Sequence, residues 1–98
     1  MKGYRLRPAA EADLEEIWNY TVSNWSFDQG QQYVSDLFDA FVKLAGHPSL
    51  GQRVDWLMRG YRRLRCGHHH IFYLTDRDGS VEVVRILHER SDVPRHLG

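Results

Sequence analysis

Apolar positions along this chain of 98 residues fall in two periods, and the change from one to the other marks its elements. Tyr4-Arg5-Leu6-Arg7 alternates in period two and stops at Pro8, which predicts a short first strand with Tyr4 and Leu6 on one face. From Pro8 to Trp25 the period is helical: Leu14, Ile17, Trp18, Thr21 and Trp25 fall on a single stripe. Ser26 and Gln29 then have capping-box spacing and start a second helix. Its stripe is Val34, Leu37, Phe38, Phe41, Leu44 and Ala45, and Gly46 and Pro48 end it. Two amphipathic helices separated only by a cap fold back as an antiparallel hairpin. Period two returns at Tyr61–Cys66, a turn follows at Gly67 and His68, and His69–Thr75 is the next strand. Asp76-Arg77-Asp78-Gly79 carries the Asp-Gly hairpin signal and leads into a β-branched run from Val81 to His88. That run has the composition of a central strand.

These elements predict a two-layer α+β domain of order β-α-α-β-β-β. The helix hairpin packs on one face of a small, mainly antiparallel sheet, and Trp18, Trp25, Phe38 and Phe41 fill the layer between. Tyr20, Tyr33 and the outer half of Trp18 are the aromatic groups expected to face a partner. One domain is expected over residues 1–98, with 89–98 as a polar C-terminal tail. Strict alternation puts Arg85 with Val81, Val83 and Leu87, opposite Val84 and Ile86, while Arg63 and Arg65 alternate with Leu64 and Cys66. With no further element to cover it, the second sheet face is expected to be open and lined by arginine. Residues 47–60 read as a loop, yet they hold Leu50, Val54, Trp56, Leu57 and Met58. Such a loop must pack over a core edge or be covered by something else.

The formal net charge is zero, which gives no support to a nucleic-acid binder. The distribution is more telling. Glu11, Asp13, Glu15 and Glu16 gather at the start of the first helix, where the helix dipole accounts for negative charge. Arg53, Arg59, Arg62, Arg63 and Arg65 gather later, and arginine suits bidentate contact with carboxylate or phosphate. Cys66 is the sole cysteine, so no internal disulfide forms, and no apolar run approaches the roughly 18 residues of a membrane span. With no signal-peptide core in M-K-G-Y-R-L-R-P, a cytoplasmic protein is expected.

Candidate chemistry concentrates where the central strand turns polar. Arg85 interrupts an apolar strand, so either it pairs with a carboxylate or it projects from the uncovered face. His88 and Arg90 follow it, and histidine changes charge near neutral pH. Cys66, His68, His70 and His88 have the donor types of a zinc site, but polar residues at a hairpin turn explain His68, His69 and His70 equally, and no metal or cofactor is assigned. No Gly-rich phosphate loop occurs, and no Ser or Cys nucleophile has a recognisable setting.

Several motifs together carry a family resemblance. Y-R-L-R-P-A-A-E-A-D-L-E-E-I-W (Tyr4 to Trp18), G-Y-R-R (Gly60 to Arg63), H-H-I-F-Y (His69 to Tyr73) and V-R-I-L-H-E-R-S-D (Val84 to Asp92) resemble the ParE branch of the RelE/ParE family of bacterial toxins, end to end. The resemblance implies a toxin that inhibits DNA gyrase by binding, with no catalytic residues. It also implies a ParD-like antitoxin that neutralises the toxin in a hetero-oligomer, and no sequence-specific DNA binding by this chain itself. Target contacts are expected from Arg62, Arg85, His88 and Arg90, and antitoxin contacts from Trp18, Tyr33, Trp56, Arg63 and Arg65. The RelE branch instead cuts mRNA on the ribosome. Under that alternative Arg65, Arg85 and His88 would supply the acid, base and cations, although the sheet holds no lysine and no tyrosine follows Tyr73.

Overall fold

A β-branched strand flanked by neighbours on both sides is the spine of the molecule. A computed structural model describes residues 3–97, so Met1, Lys2 and Gly98, the extreme ends of the expected 1–98 domain, lie outside the described residues. The elements are β1 (Tyr4–Leu6), α1 (Pro8–Asn24), α2 (Phe27–Gly46), β2 (Gln52–Arg53), β3 (Arg62–Cys66), β4 (His69–Thr75), β5 (Val81–His88) and α3 (Val93–Leu97). The sheet order is β1-β5-β4-β3-β2. β1 runs parallel to β5 and every other pairing is antiparallel. The predicted α+β order is therefore present, with a two-residue strand β2 inside the expected loop and a short helix α3 inside the expected tail.

Local chemistry explains the helix hairpin. Pro8 opens α1 at a position where its missing N–H costs nothing. Ser26 caps α2, its Oγ accepting the Gln29 N–H at 3.1 Å. The inner faces of both helices meet the sheet in a core of Ala10, Leu14, Ile17, Leu37, Ala40, Phe41, Leu44, Ile71, Tyr73, Val81, Val83 and Ile86. Of the aromatic side chains expected in this layer, Phe41 is fully buried, whereas Trp25 is 51% and Phe38 40% exposed. Trp18 is half-buried and packs edge-on against Phe27. The reason is geometric. Trp25 falls one residue beyond the end of α1, and Phe38 is one residue past Leu37, to the side of the buried stripe of Leu37, Phe41 and Leu44.

The second sheet face corrects the sequence reading. Phe72 stands opposite Arg85 and Tyr73 opposite Val83, so Val84 is an extra residue, a β-bulge. The bulge breaks alternation: Val81, Val83 and Ile86 enter the helix-side core, while Val84 and Leu87 enter a second core with Val54, Phe72 and Leu97. Leu57, Met58, Tyr61, Leu74 and Val93 pack against it. The apolar loop thus folds down over this face, held by hydrogen bonds from the Val54 N–H to the Tyr61 carbonyl (2.9 Å) and the Met58 N–H to the Val54 carbonyl (3.0 Å). α3 closes the remainder with Leu97. Each such buried side chain contributes roughly 1.5–3 kcal/mol. The expected open face is therefore covered on its β4–β5 half. Leu64 and Cys66 do pack toward the helices, as alternation predicts.

Gly51 locks the loop to the sheet edge. The buried Tyr73 hydroxyl accepts the Gly51 N–H and donates to the Pro48 carbonyl, both at 2.8 Å. A Cβ on Gly51 would come within 2.7 Å of the Tyr73 ring, so only glycine permits this approach.

Candidate functional site

β1 is shorter than β5. It pairs with Val81–Val83 only, and the chain then leaves the sheet into α1, so the C-terminal half of β5 has no neighbouring strand on that side. Asp13 on α1 takes the missing partner's place. Its carboxylate accepts the Ile86 N–H at 2.9 Å and receives Nε and Nη2 of Arg85, each at 2.8 Å. Asp13 is only 6% exposed. A buried carboxylate with three donors is well satisfied, and its charge is matched by the fork of one arginine. Arg85 also donates Nη1 to the His96 carbonyl at 3.2 Å, tying α3 to the same node. Hydrogen bonding to Asp13 raises the Arg85 pKa against the lowering effect of burial.

Beside this ion pair lies a groove of about 650 Å³. One wall is the end of α1 with Trp25 and Tyr33; the other is the β3–β4 turn and the end of β5. Tyr33 clasps that turn to α2. Its hydroxyl accepts the His68 N–H at 2.9 Å and lies 2.6 Å from His69 Nδ1. Gly67, at φ +61°, makes room for it, since a Cβ there would meet the Tyr33 hydroxyl at 2.6 Å. Burial lowers the His69 pKa to about 4, with His88 and His68 adding repulsion, so His69 is neutral at physiological pH and its Nδ1 can accept the Tyr33 proton. The rings of His68 and His88 are stacked at 6.4 Å, and His69 meets His88 edge-on at 5.3 Å. Glu89 holds the far side, accepting from His68 Nδ1 at 2.9 Å and Arg65 Nη2 at 2.7 Å. The hydrogen bond from His68 leads the causes that depress the Glu89 pKa.

The structure divides the residues singled out from the sequence. Arg85 and His88 line the groove, and Arg90 follows, its backbone N–H donating to His88 Nδ1 at 3.1 Å. Arg62 is not with them. It sits at the β2 edge, donating to the Gly51 carbonyl at 2.7 Å. Arg85 is engaged by a carboxylate rather than projecting from an open face, which is the first of the two alternatives that the sequence leaves. Arg65 is likewise paired, with Glu89. Arg63 and Arg65 stand beside His70, whose pKa is lowered by burial first and then by those two cations. Tyr33 is half-buried with its hydroxyl on the turn, whereas Tyr20 is 62% and Trp56 73% exposed. Cys66, His68 and His70 do not converge, because Gly67 turns the chain; among the described residues no group of three or more His, Cys, Asp or Glu is placed to hold a metal ion. Asp13 and Glu89 were missed as site residues. Asp13 has a sufficient local explanation in the helix dipole, and the only sequence signal for its role is an unpaired arginine in a central strand.

A helix hairpin on a mixed sheet, with a polar node where the spine strand outruns its first neighbour, defines a small two-layer α+β protein. The comparisons place it further. Residues 4–93 match the family described as the ParE toxin of the type II toxin-antitoxin system parDE. Toxin ParE1 of Mycobacterium tuberculosis is 45% identical over 94 residues, covering 96% of both chains. Toxin ParE1 of Caulobacter vibrioides is 40% identical over 99 residues and the whole of both chains. Toxin ParE of Escherichia coli is 35% identical over 97 residues, 99% of this chain and 94% of that one. Among solved structures, the chromosomal ParDE system of P. aeruginosa matches with a TM-score of 0.77 at 18% identity, covering 90% of this chain and 96% of that one. The RelBE2 toxin-antitoxin complex of M. tuberculosis matches with a TM-score of 0.64 at 19% identity, covering 89% and 96%. The chain belongs to the ParE toxin family of type II toxin-antitoxin systems.

Proposed function

We propose that this protein inhibits DNA gyrase by binding it, in the cytoplasm, and is neutralised by a ParD-like antitoxin with which it forms a hetero-oligomer. The observation that carries the reading is the state of its cations. Cutting RNA needs positive groups free to meet the charge that develops on the phosphorus. Arg85 is held by Asp13 at 2.8 Å and Arg65 by Glu89 at 2.7 Å, and Phe72, Val84 and Leu87 fill the second sheet face in a core of their own. That arrangement favours a binding protein over a nuclease. The likeness to RelBE2 is one of fold, which hosts different functions.

His88 and Arg90 are the target contacts that remain exposed. Trp56 and the outer part of Trp18 are the antitoxin anchors, with Arg63 meeting acidic residues of a segment that folds on binding and Arg65 exchanging Glu89 for one of them. This chain makes no sequence-specific contact with DNA. The test pairs a gyrase supercoiling and cleavage-complex assay with a ribosome-dependent mRNA cleavage assay, both on antitoxin-free protein. Gyrase inhibition with intact mRNA supports the reading, and cleaved mRNA with unaffected gyrase overturns it.

A further inference from the structure

We propose that the groove beside β5 is a receptor for a basic side chain, arginine above all, presented by an extended segment of a partner polypeptide. The charge inventory of its walls points there. Asp13 is matched by Arg85, and at the groove's rim Glu89 is matched by both Arg65 and the lining residue His68. His69 is neutral near physiological pH. Glu16 is a second carboxylate beside the same single arginine: it lines the groove, is exposed, makes no direct ion pair among the described residues, and its charge reaches Arg85, so the node of Asp13, Glu16 and Arg85 keeps one surplus negative charge. One helical turn further along α1, Tyr20 stands on the same face, and Trp25 follows beyond the helix end, both lining the groove and more than half exposed.

A carboxylate beside two exposed aromatic rings is complementary to a delocalised cation. The guanidinium meets the charge of Glu16 and the negative faces of the rings together. Trp25 already stands at the groove, its ring edge-on to Tyr33 at 6.3 Å. The backbone argues for a polypeptide as the source. The groove occupies the place a longer β1 would take beside β5, and Asp13 closes only the Ile86 end of it. An extended segment can run along the remainder toward His88 and lower its basic side chain between Glu16 and the rings. The site is independent of whether gyrase is the target.

The experiment is a titration followed by amide and indole NMR signals, using N-acetyl-arginine amide as probe and its neutral isostere N-acetyl-citrulline amide as control. Saturable shifts centred on Glu16, Tyr20 and the Trp25 indole are expected with the arginine probe. The citrulline probe should bind at least about fivefold more weakly, the loss expected for removing one exposed cation-aromatic contact and its charge partner. Glu16→Gln and Tyr20→Ala, both at exposed positions, should weaken the arginine probe to a similar degree while leaving the melting temperature unchanged. Equal affinity for the two probes, shifts elsewhere on the surface, or undiminished binding by Glu16→Gln overturns the proposal. A tripeptide with arginine between two valines should bind more tightly than the single-residue amide. Equal affinity of the two would overturn the assignment to a polypeptide.

Discussion

Asp13→Ala is the perturbation that tests the structural reading most directly. Asp13 is buried, and its carboxylate receives two guanidinium donors at 2.8 Å and the Ile86 N–H at 2.9 Å. Removing it leaves the Arg85 charge, whose side chain is only 21% exposed, and a strand N–H without an acceptor. Breaking a buried pair by deleting one partner costs about 3–5 kcal/mol, and an orphaned buried N–H about 1–3 kcal/mol by itself. Because the groove lets water reach one side of Arg85, the lower end applies, about 3 kcal/mol in total. At roughly 4–8 °C per kcal/mol for a domain of this size, the melting temperature should fall by about 12–24 °C. Asp13→Asn keeps an acceptor for Ile86 and should lose about half as much. Arg53 and Asp55 make the control: their contact is 2.6 Å, but the Arg53 side chain is 69% exposed, so Arg53→Ala should cost under about 1 kcal/mol. Urea unfolding by circular dichroism, with a double-mutant cycle on Asp13 and Arg85, reads all of this. A loss below about 1 kcal/mol for Asp13→Ala, or a coupling energy near zero, would refute the reasoning.

Further outcomes follow from the same geometry. His69 ionises near 6.5 when unfolded but only at about 4 when folded, so its neutral form is favoured in the native state. Its contribution is fully present above pH 6.5 and is lost as pH falls toward 4, up to about 3 kcal/mol; His69→Asn should flatten that part of the stability profile. Leu97→Ala, in the second core, should destabilise by about 2–3 kcal/mol in urea titrations. Deleting the residues after Glu89 removes Val93 and Leu97 from that core, so the truncated chain should melt lower rather than remain an intact domain. Trp56→Ala should leave stability unchanged but weaken a cognate antitoxin at least about tenfold by calorimetry, as loss of an exposed aromatic anchor does.

Much of the fold was legible because period and punctuation agree: the Ser26 cap, the Asp-Gly hairpin and the β-branched run are local signals with local causes. What alternation could not show is the bulge at Val84, since one inserted residue leaves composition untouched and moves every later side chain across the sheet. The covering of the second face escaped for a related reason. Leu50 to Met58 announce that the loop is apolar, but which surface it lies on is a tertiary fact. At the site, an arginine in an apolar strand leaves two alternatives, a carboxylate partner or an uncovered face, and nothing local chooses Asp13 from the cluster Glu11, Asp13, Glu15 and Glu16. The clasp of Tyr33 on the β3–β4 turn is hidden for the same reason, since it joins residues far apart in sequence.

The parallel pairing of β1 with β5 sets a timetable for the protein's birth. Tyr4 has its partner, Val81, only when every residue between them has been made. Until then the helix hairpin can form but has no sheet spine on which to settle, and Asp13 waits unpaired for Arg85. Contacts of such long sequence separation slow folding and concentrate it at the end. A product that stops before β5 lacks Val81, Val83 and Ile86 from one core and Val84 and Leu87 from the other, so both lose the strand they share.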